Sequence, residues 1–274
     1  MTEMPEPEEA RYIYCVARCA AGGLLSESNA GEELGSIGIE KSSVFTVTYQ
    51  DLAAVVHSSP PQTYDTRDQA VATAWIIEHS YVIDQAMKKF PAVLPFSFDV
   101  IMKGGDCAVR QWLERNREAL NRNLEKVEGR AEYGIQIYYH NNQLAEGILA
   151  RDPDLQILQS RIEKESRGKA YLLQKKLDQT LKGLASKKAA QIVGLSLDDI
   201  KSLSDDLLVD EKRRKPEEFK DHTLLASYTC LVQDDAAPAL GKKLDEINCL
   251  EGFRVRFTGP WAPFSFVSRR EELS

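Results

Sequence analysis

Long apolar runs are missing from this 274-residue sequence: the longest clean stretch, Leu52-Ala53-Ala54-Val55-Val56, falls far short of the roughly 20 residues of a spanning helix. Met1 to Glu9 is acidic and proline-containing, where a secretory leader would be basic and then apolar. Cys15, Cys19, Cys107, Cys230 and Cys249 are odd in number, scattered and without metal spacing, a usage that fits a reducing cytoplasm. His57, His79, His140 and His222 lie far apart and offer no helical pair of metal ligands. Gly22-Gly23 and Gly104-Gly105 lack the glycine, lysine and hydroxyl spacing of a phosphate loop. No Gly-x-Ser-x-Gly elbow is present, and Cys15 and Cys19 are not a close redox pair. Acid pairs such as Asp198-Asp199 and Asp205-Asp206 sit in polar, capping-like contexts where nothing raises a carboxyl pKa. These absences predict a protein that is not an enzyme and needs no metal or cofactor. Its net charge of −7 argues against nucleic acid or an anionic membrane as partner.

What is present is ordinary for a globular chain: 43% hydrophobic and 28% charged residues, with length enough for two cores. Residues 1–10 read as a disordered acidic leader. Residues 11–128 read as an N-terminal α+β domain. Tyr12 to Ala17 is a strand apolar on both alternations, therefore central, and the runs 44–49 and 52–56 flank Gln50-Asp51 as a hairpin. A helix capped by Asp65 or Thr66 runs to about Lys89, with Val71, Trp75, Val82 and Ala86 as its buried stripe. His79 falls on that stripe, the position of a hydrogen-bonded core histidine. Val93 to Val100 reads as a strand. Asp106 is placed to cap a second helix ending at Val127, with Val109, Leu113, Leu120, Leu124 and Val127 inward.

Gly129 marks the boundary to a second domain, 129–274. Its strand at 132–139 is followed by a helical region begun by Asp152-Pro153 and extending as far as Val193, with Leu173, Leu177, Leu181 and Leu184 on one face. More lysine and arginine than acid on that region suggests a solvated face or an anionic partner. Ser196 to Ser204 reads as a separate short helix. Strands at 224–232 and 253–257 flank a helix at 238–247, and this order resembles a ferredoxin-like unit with an extended first crossover, its remaining strand assignable to Leu207-Leu208-Val209. Gly259 and Pro260 then stop the last strand. Trp261, Phe264 and Phe266 make the tail aromatic where termini are usually polar. The reading gives Trp261 and Phe264 one of two roles, a plug in a core or seam, or a partner-binding patch.

The stretch Gly259-Pro260-Trp261-Ala262-Pro263-Phe264-Ser265-Phe266-Val267 resembles the Gly-Pro-Trp-Pro-Pro-Tyr-Ser-Phe signature of the gas vesicle protein F/L family (GvpF/GvpL). Tyr49 to Val56 is similar to that family's Tyr-Arg-Asp-Leu-Ala-Ala-Val-Val, and His79 to a histidine of its long N-domain helix. Val93 to Phe98 is similar to its Val-Leu-Pro-Leu-Arg-Phe, Glu132 to Gln136 to Glu-Trp-Gly-Val-Lys, and Gly168 to Leu172 to Gly-x-Ala-Tyr-Leu. The sequence departs from the pattern at Ala262 (proline), Phe264 (tyrosine), Ser97 (arginine) and Asp99 (glycine).

The resemblance implies a non-enzymatic cytoplasmic accessory or minor structural protein of gas vesicles, the hollow protein shells that confer buoyancy. It implies an α+β N-terminal domain and a modified ferredoxin-like C-terminal domain with a long helical insertion. The implied partners are the hydrophobic shell protein GvpA and other gas vesicle assembly proteins, met during nucleation and growth. A small-ligand-binding regulatory protein using the ferredoxin-like domain is the competing expectation.

Overall fold

The strand β1 (Ala10–Arg18) is buried almost throughout, on both of its faces, as the centre of a covered sheet must be. The computed structural model describes residues 9–19, 33–210 and 215–267, so most of the expected acidic leader lies outside the described residues, while Ala10 already belongs to β1. By backbone contacts the chain forms two units, Met1–Glu132 with Pro260–Ser274, and Tyr133–Gly259.

In the first unit β1 is followed by β2 (Glu33–Gly35), β3 (Val44–Tyr49), β4 (Leu52–Ser59), α1 (Gln69–Lys89), β5 (Val93–Pro95), β6 (Ile101–Lys103) and α2 (Gly105–Val127). The sheet order is β2-β3-β4-β1-β5, with β6 also paired to β1. β3 and β4 form the expected hairpin in direct register, Tyr49 opposite Leu52, turned by Gln50 at φ +52°. A bulge between Ile13 and Cys15 shifts the register of β1 against β4. It leaves Tyr12, Tyr14, Cys15 and Ala17 in the core cluster that α1 covers through Val82, Ile83 and Ala86. Ile13 and Val16 belong to the other cluster, filled by Val109, Leu113, Leu120, Leu124 and Val127 of α2. Re-aiming side chains in this way is a usual effect of a bulge.

Several boundaries differ from expectation for identifiable reasons. The cap of α1 is Asp68, whose carboxylate accepts from the N–H groups of Ala70 and Val71. Val71 is exposed, so the buried stripe begins at Trp75. The run 93–100 is not one strand, because Asp99 adopts a left-handed φ of +71° between β5 and β6. Gly104, at φ +100°, takes the cap position of α2. Asp106 instead accepts a hydrogen bond from Arg11 Nε at 2.7 Å.

The second unit runs β7 (Arg130–Tyr139), α3 (Asn141–Arg151), α4 (Pro153–Ile162), α5 (Arg167–Ser202), β8 (Asp206–Val209), β9 (Thr223–Gln233), α6 (Ala237–Asn248) and β10 (Phe253–Trp261), β7 beginning and β10 ending in residues of the first unit. Its sheet order is β10-β7-β9-β8. Asp152 caps α4 by accepting from Asp154 and Leu155, with Pro153 in the first turn. A small helical core gathers Ile162, Leu177 and Leu181 with flanking residues of α3 and α4, while Leu184 is exposed. The expected break near Ser196 is absent: its hydroxyl donates to the Ile192 carbonyl at 2.7 Å, a back-bond that leaves the helix intact. β10 also continues through Gly259 and Pro260 instead of stopping there. Gly259 accommodates φ +128°, and β10 lies at a sheet edge, where proline's missing donor is tolerated. Among the described residues no helix is long and apolar enough to cross a membrane.

Candidate interface on the first unit

The tail that follows β10 belongs to the first unit, although the sequence reading assigned it to the second domain. Physical anchors explain this. Ala262 lies in the α1-side core cluster, and Val267 packs against the α2-side cluster. The buried Glu132 carboxylate accepts from the Ser265 backbone N–H at 2.7 Å and from its hydroxyl at 3.0 Å. Phe266 is 6% exposed, with the Lys126 ammonium 6.0 Å from its ring centre, within range of a cation–π contact. Gly259, Pro260, Trp261 and Phe264 are exposed, Trp261 by 48% and Phe264 by 42%. Of the three aromatic rings, only Phe266 fastens the fold; the residue after Trp261 does the packing expected of Trp261 itself.

His79 is buried in a polar network within the same cluster. Tyr12 OH accepts the Asp99 N–H at 2.9 Å, so its proton points to His79 Nδ1, also at 2.9 Å. His79 Nε2–H then donates to the Phe96 carbonyl at 3.1 Å. A parallel chain begins at the Ile39 N–H, which donates to Tyr14 OH at 3.0 Å. Tyr14 OH and His57 Nδ1 are hydrogen-bonded at 2.8 Å, and His57 Nε2 and Tyr64 OH at 3.0 Å. The Tyr64 N–H returns to Asp99 Oδ1 at 3.0 Å. The Phe96 carbonyl, an acceptor only, thus fixes the tautomer of His79. Burial pulls both histidines down to about 4, because the low-dielectric interior disfavours imidazolium. Burial likewise raises the Tyr12 and Tyr14 phenols and pushes Tyr64 up to about 12. Every ring nitrogen is engaged, so the network's chemical role is to hold β1, β4, α1 and the 96–99 loop in one arrangement.

The outward face of α1 is uncharged over its first half. Gln69 to Ile77 contains no charged residue, and Ile76, Ile77 and Tyr81 are exposed by 50, 62 and 49%. Such an uncharged exposed face stands out in a chain with 28% charged residues, and exposed apolar patches of this kind are characteristic of interaction surfaces. As a candidate functional residue on this helix the sequence points to His79 alone, beside the core stripe. The absence of charge from 69 to 77 was its available signal, and so was the Tyr12-x-Tyr14 pair facing one way.

A family model described as gas vesicle synthesis protein GvpL/GvpF matches residues 10–268 of the chain. Gas vesicle protein L1 of Halobacterium salinarum is 30% identical over 94% of this chain and 90% of its own length. Gas vesicle protein L of Haloferax mediterranei is 28% identical, over 97% of this chain and 90% of its own. The crystal structure of the gas vesicle protein GvpF from Anabaena sp. PCC7120 superposes with a TM-score of 0.64 at 17% identity, covering 95% of this chain and 98% of that one.

Proposed function

Because the chain belongs to the gas vesicle synthesis protein GvpL/GvpF family, we propose that it acts without catalysis, as a partner-binding factor in vesicle nucleation and growth. Its partners in this reading are the shell protein GvpA, other assembly proteins, or both. The observation that carries it is the uncharged outward face of α1 with Ile76, Ile77 and Tyr81 exposed. A shell subunit with a water-repellent face aggregates unless that face is covered, and an acidic protein with one apolar helix face meets the need while keeping the complex soluble. Trp261 and Phe264 extend the apolar surface available on the same unit. We place its action in the cytoplasm and at the vesicle on the strength of the family.

We read the second unit as ferredoxin-like with a long helical insertion. The support is its order of elements, strand, helices, two strands, helix, strand, with the first strand between the last and the third. The competing reading, a small-ligand regulator, has less support. A cleft of about 290 Å³ lies among Leu144, Arg151, Ile192, Glu251 and Phe253, but Arg151 and Glu251 pair with each other at 2.9 Å instead of converging on a ligand.

The test is a direct binding measurement between purified GvpA fragments and the full chain carrying Ile77→Asp and Tyr81→Ser, with vesicle counts by electron microscopy in complemented cells. Loss of binding at unchanged thermal stability is expected. Wild-type binding together with normal vesicle numbers defeats the proposal.

A further inference from the structure

The N-terminal half of α5 carries a second surface of different chemistry. From Arg167 to Lys188 there are seven basic residues against one acid, Asp178, in a chain of net charge −7. Lys169 pairs with Glu165 at 2.8 Å, and Asp178 accepts from Gln174 at 2.9 Å. Lys175, Lys176, Lys182 and Lys187 are exposed and form no ion pair among the described residues. Next to them on the helix stand Tyr171 and Leu172, exposed by 67 and 66%. A merely solvated helix face has no reason to place its large apolar side chains outward.

We propose that this face docks an acidic segment of a partner protein that also presents an apolar side chain, Tyr171 and Leu172 supplying the anchor and the four lysines the electrostatic rim. Charge complementarity selects the occupant. The lysines from 175 to 187 span about 18 Å of helix, so a segment of three turns faces all of them. A long polyanion would also meet the acidic remainder of the chain and be repelled. Sequence-tolerant nucleic-acid surfaces interleave several aromatic rings with their basic residues, whereas Tyr171 is the one aromatic between Arg167 and Lys188. Anchor and rim divide the work as in other interfaces: the apolar contact sets the lifetime of the complex, and the charges set encounter rate and salt dependence.

The experiment is fluorescence anisotropy with the full chain and a labelled 18-residue amphipathic peptide carrying a leucine stripe flanked by glutamates, its serine-for-leucine and lysine-for-glutamate versions, a single-stranded RNA and phosphatidylserine vesicles. The glutamate–leucine peptide is expected to bind wild type and to weaken as NaCl rises from 50 to 500 mM. It should weaken about tenfold or more in K175E/K176E/K182E and also in Y171A/L172A. The lysine peptide should prefer the triple-glutamate variant. If the charge reversal unsettles the fold in a thermal melt, K175Q/K176Q/K182Q makes the same comparison. The proposal is overturned if the acidic peptide does not bind wild type, if it binds the triple variant equally, or if these lysines bind RNA or vesicles and not the peptide. Equal affinity for the serine version refutes the anchor.

Discussion

Lowering the pH from 7.5 to 5 should destabilise the first unit through His57 and His79 before most carboxylates titrate. Burial holds both imidazoles at about 4 in the folded chain, against about 6.5 when unfolded. Between those values the unfolded state takes up protons that the folded state refuses, so stability is fully present above 6.5 and is lost as the pH falls towards 4. Linkage gives a loss of about 2 kcal/mol per histidine by pH 5, about 4 for the pair, a large part of a typical 5–15 kcal/mol. The groups around the imidazoles do not offset this. Tyr12, Tyr14 and Tyr64 are phenols raised above their usual range, and Asp99 contacts the network through Tyr64 and Tyr12. Asp84, whose carboxyl burial raises, works in the opposite direction. The assay is urea unfolding at half-unit pH steps, followed by tryptophan fluorescence and far-UV circular dichroism. His79→Gln removes one titrating ring, so the slope between pH 6.5 and 5 should fall by about half although the variant starts less stable. A wild-type midpoint constant over that interval refutes the assignment of two neutral buried histidines.

The tail offers a paired comparison: Phe266→Ala should cost about 3–5 kcal/mol in a chemical melt, and Trp261→Ala under about 1 because that ring is half in water; the reverse order contradicts the packing. Removing the buried acceptor by Glu132→Leu should cost about 1–3 kcal/mol and speed amide exchange at Ser265, read by hydrogen exchange. At Asp99 the left-handed φ should make Asp99→Gly less destabilising than Asp99→Ala by about 1 kcal/mol, although both lose the bond to Tyr64; equal midpoints argue against the strained geometry.

Local pattern made much of this fold legible. The five inward residues of α2 follow a clean 3.6-residue period, and all five are buried; β1, apolar on both alternations, is central. Reading failed where the deciding fact was not local. The first half of α1 carries apolar residues on every side, so periodicity alone did not separate the buried Ile83 from the exposed Ile77. The network around His79 joins β1, β4, α1 and a loop, and only the three-dimensional pairing brings those histidines to those tyrosines. Aromatic size marked three rings of the tail alike, and the structure buries one of them, Phe266. Which ring is buried depends on the backbone path after Gly259, and that path turns Ala262 inward and leaves Trp261 out. Asp99 holds a left-handed backbone that an aspartate tolerates while accepting the Tyr64 N–H, and no local pattern announces it.

The return of the chain to its first unit at Pro260 imposes an order on biosynthesis. On a ribosome, Tyr133 to Gly259 must all be added after Glu132 is incorporated, an interval on the order of ten seconds at ordinary elongation rates. Throughout it the nascent first unit lacks Ala262 and Phe266, and the Glu132 carboxylate waits without Ser265. The second unit, contiguous in sequence, has all its residues before the first unit is complete. A product truncated anywhere before Pro260 therefore never closes the first unit, however well the second one has folded.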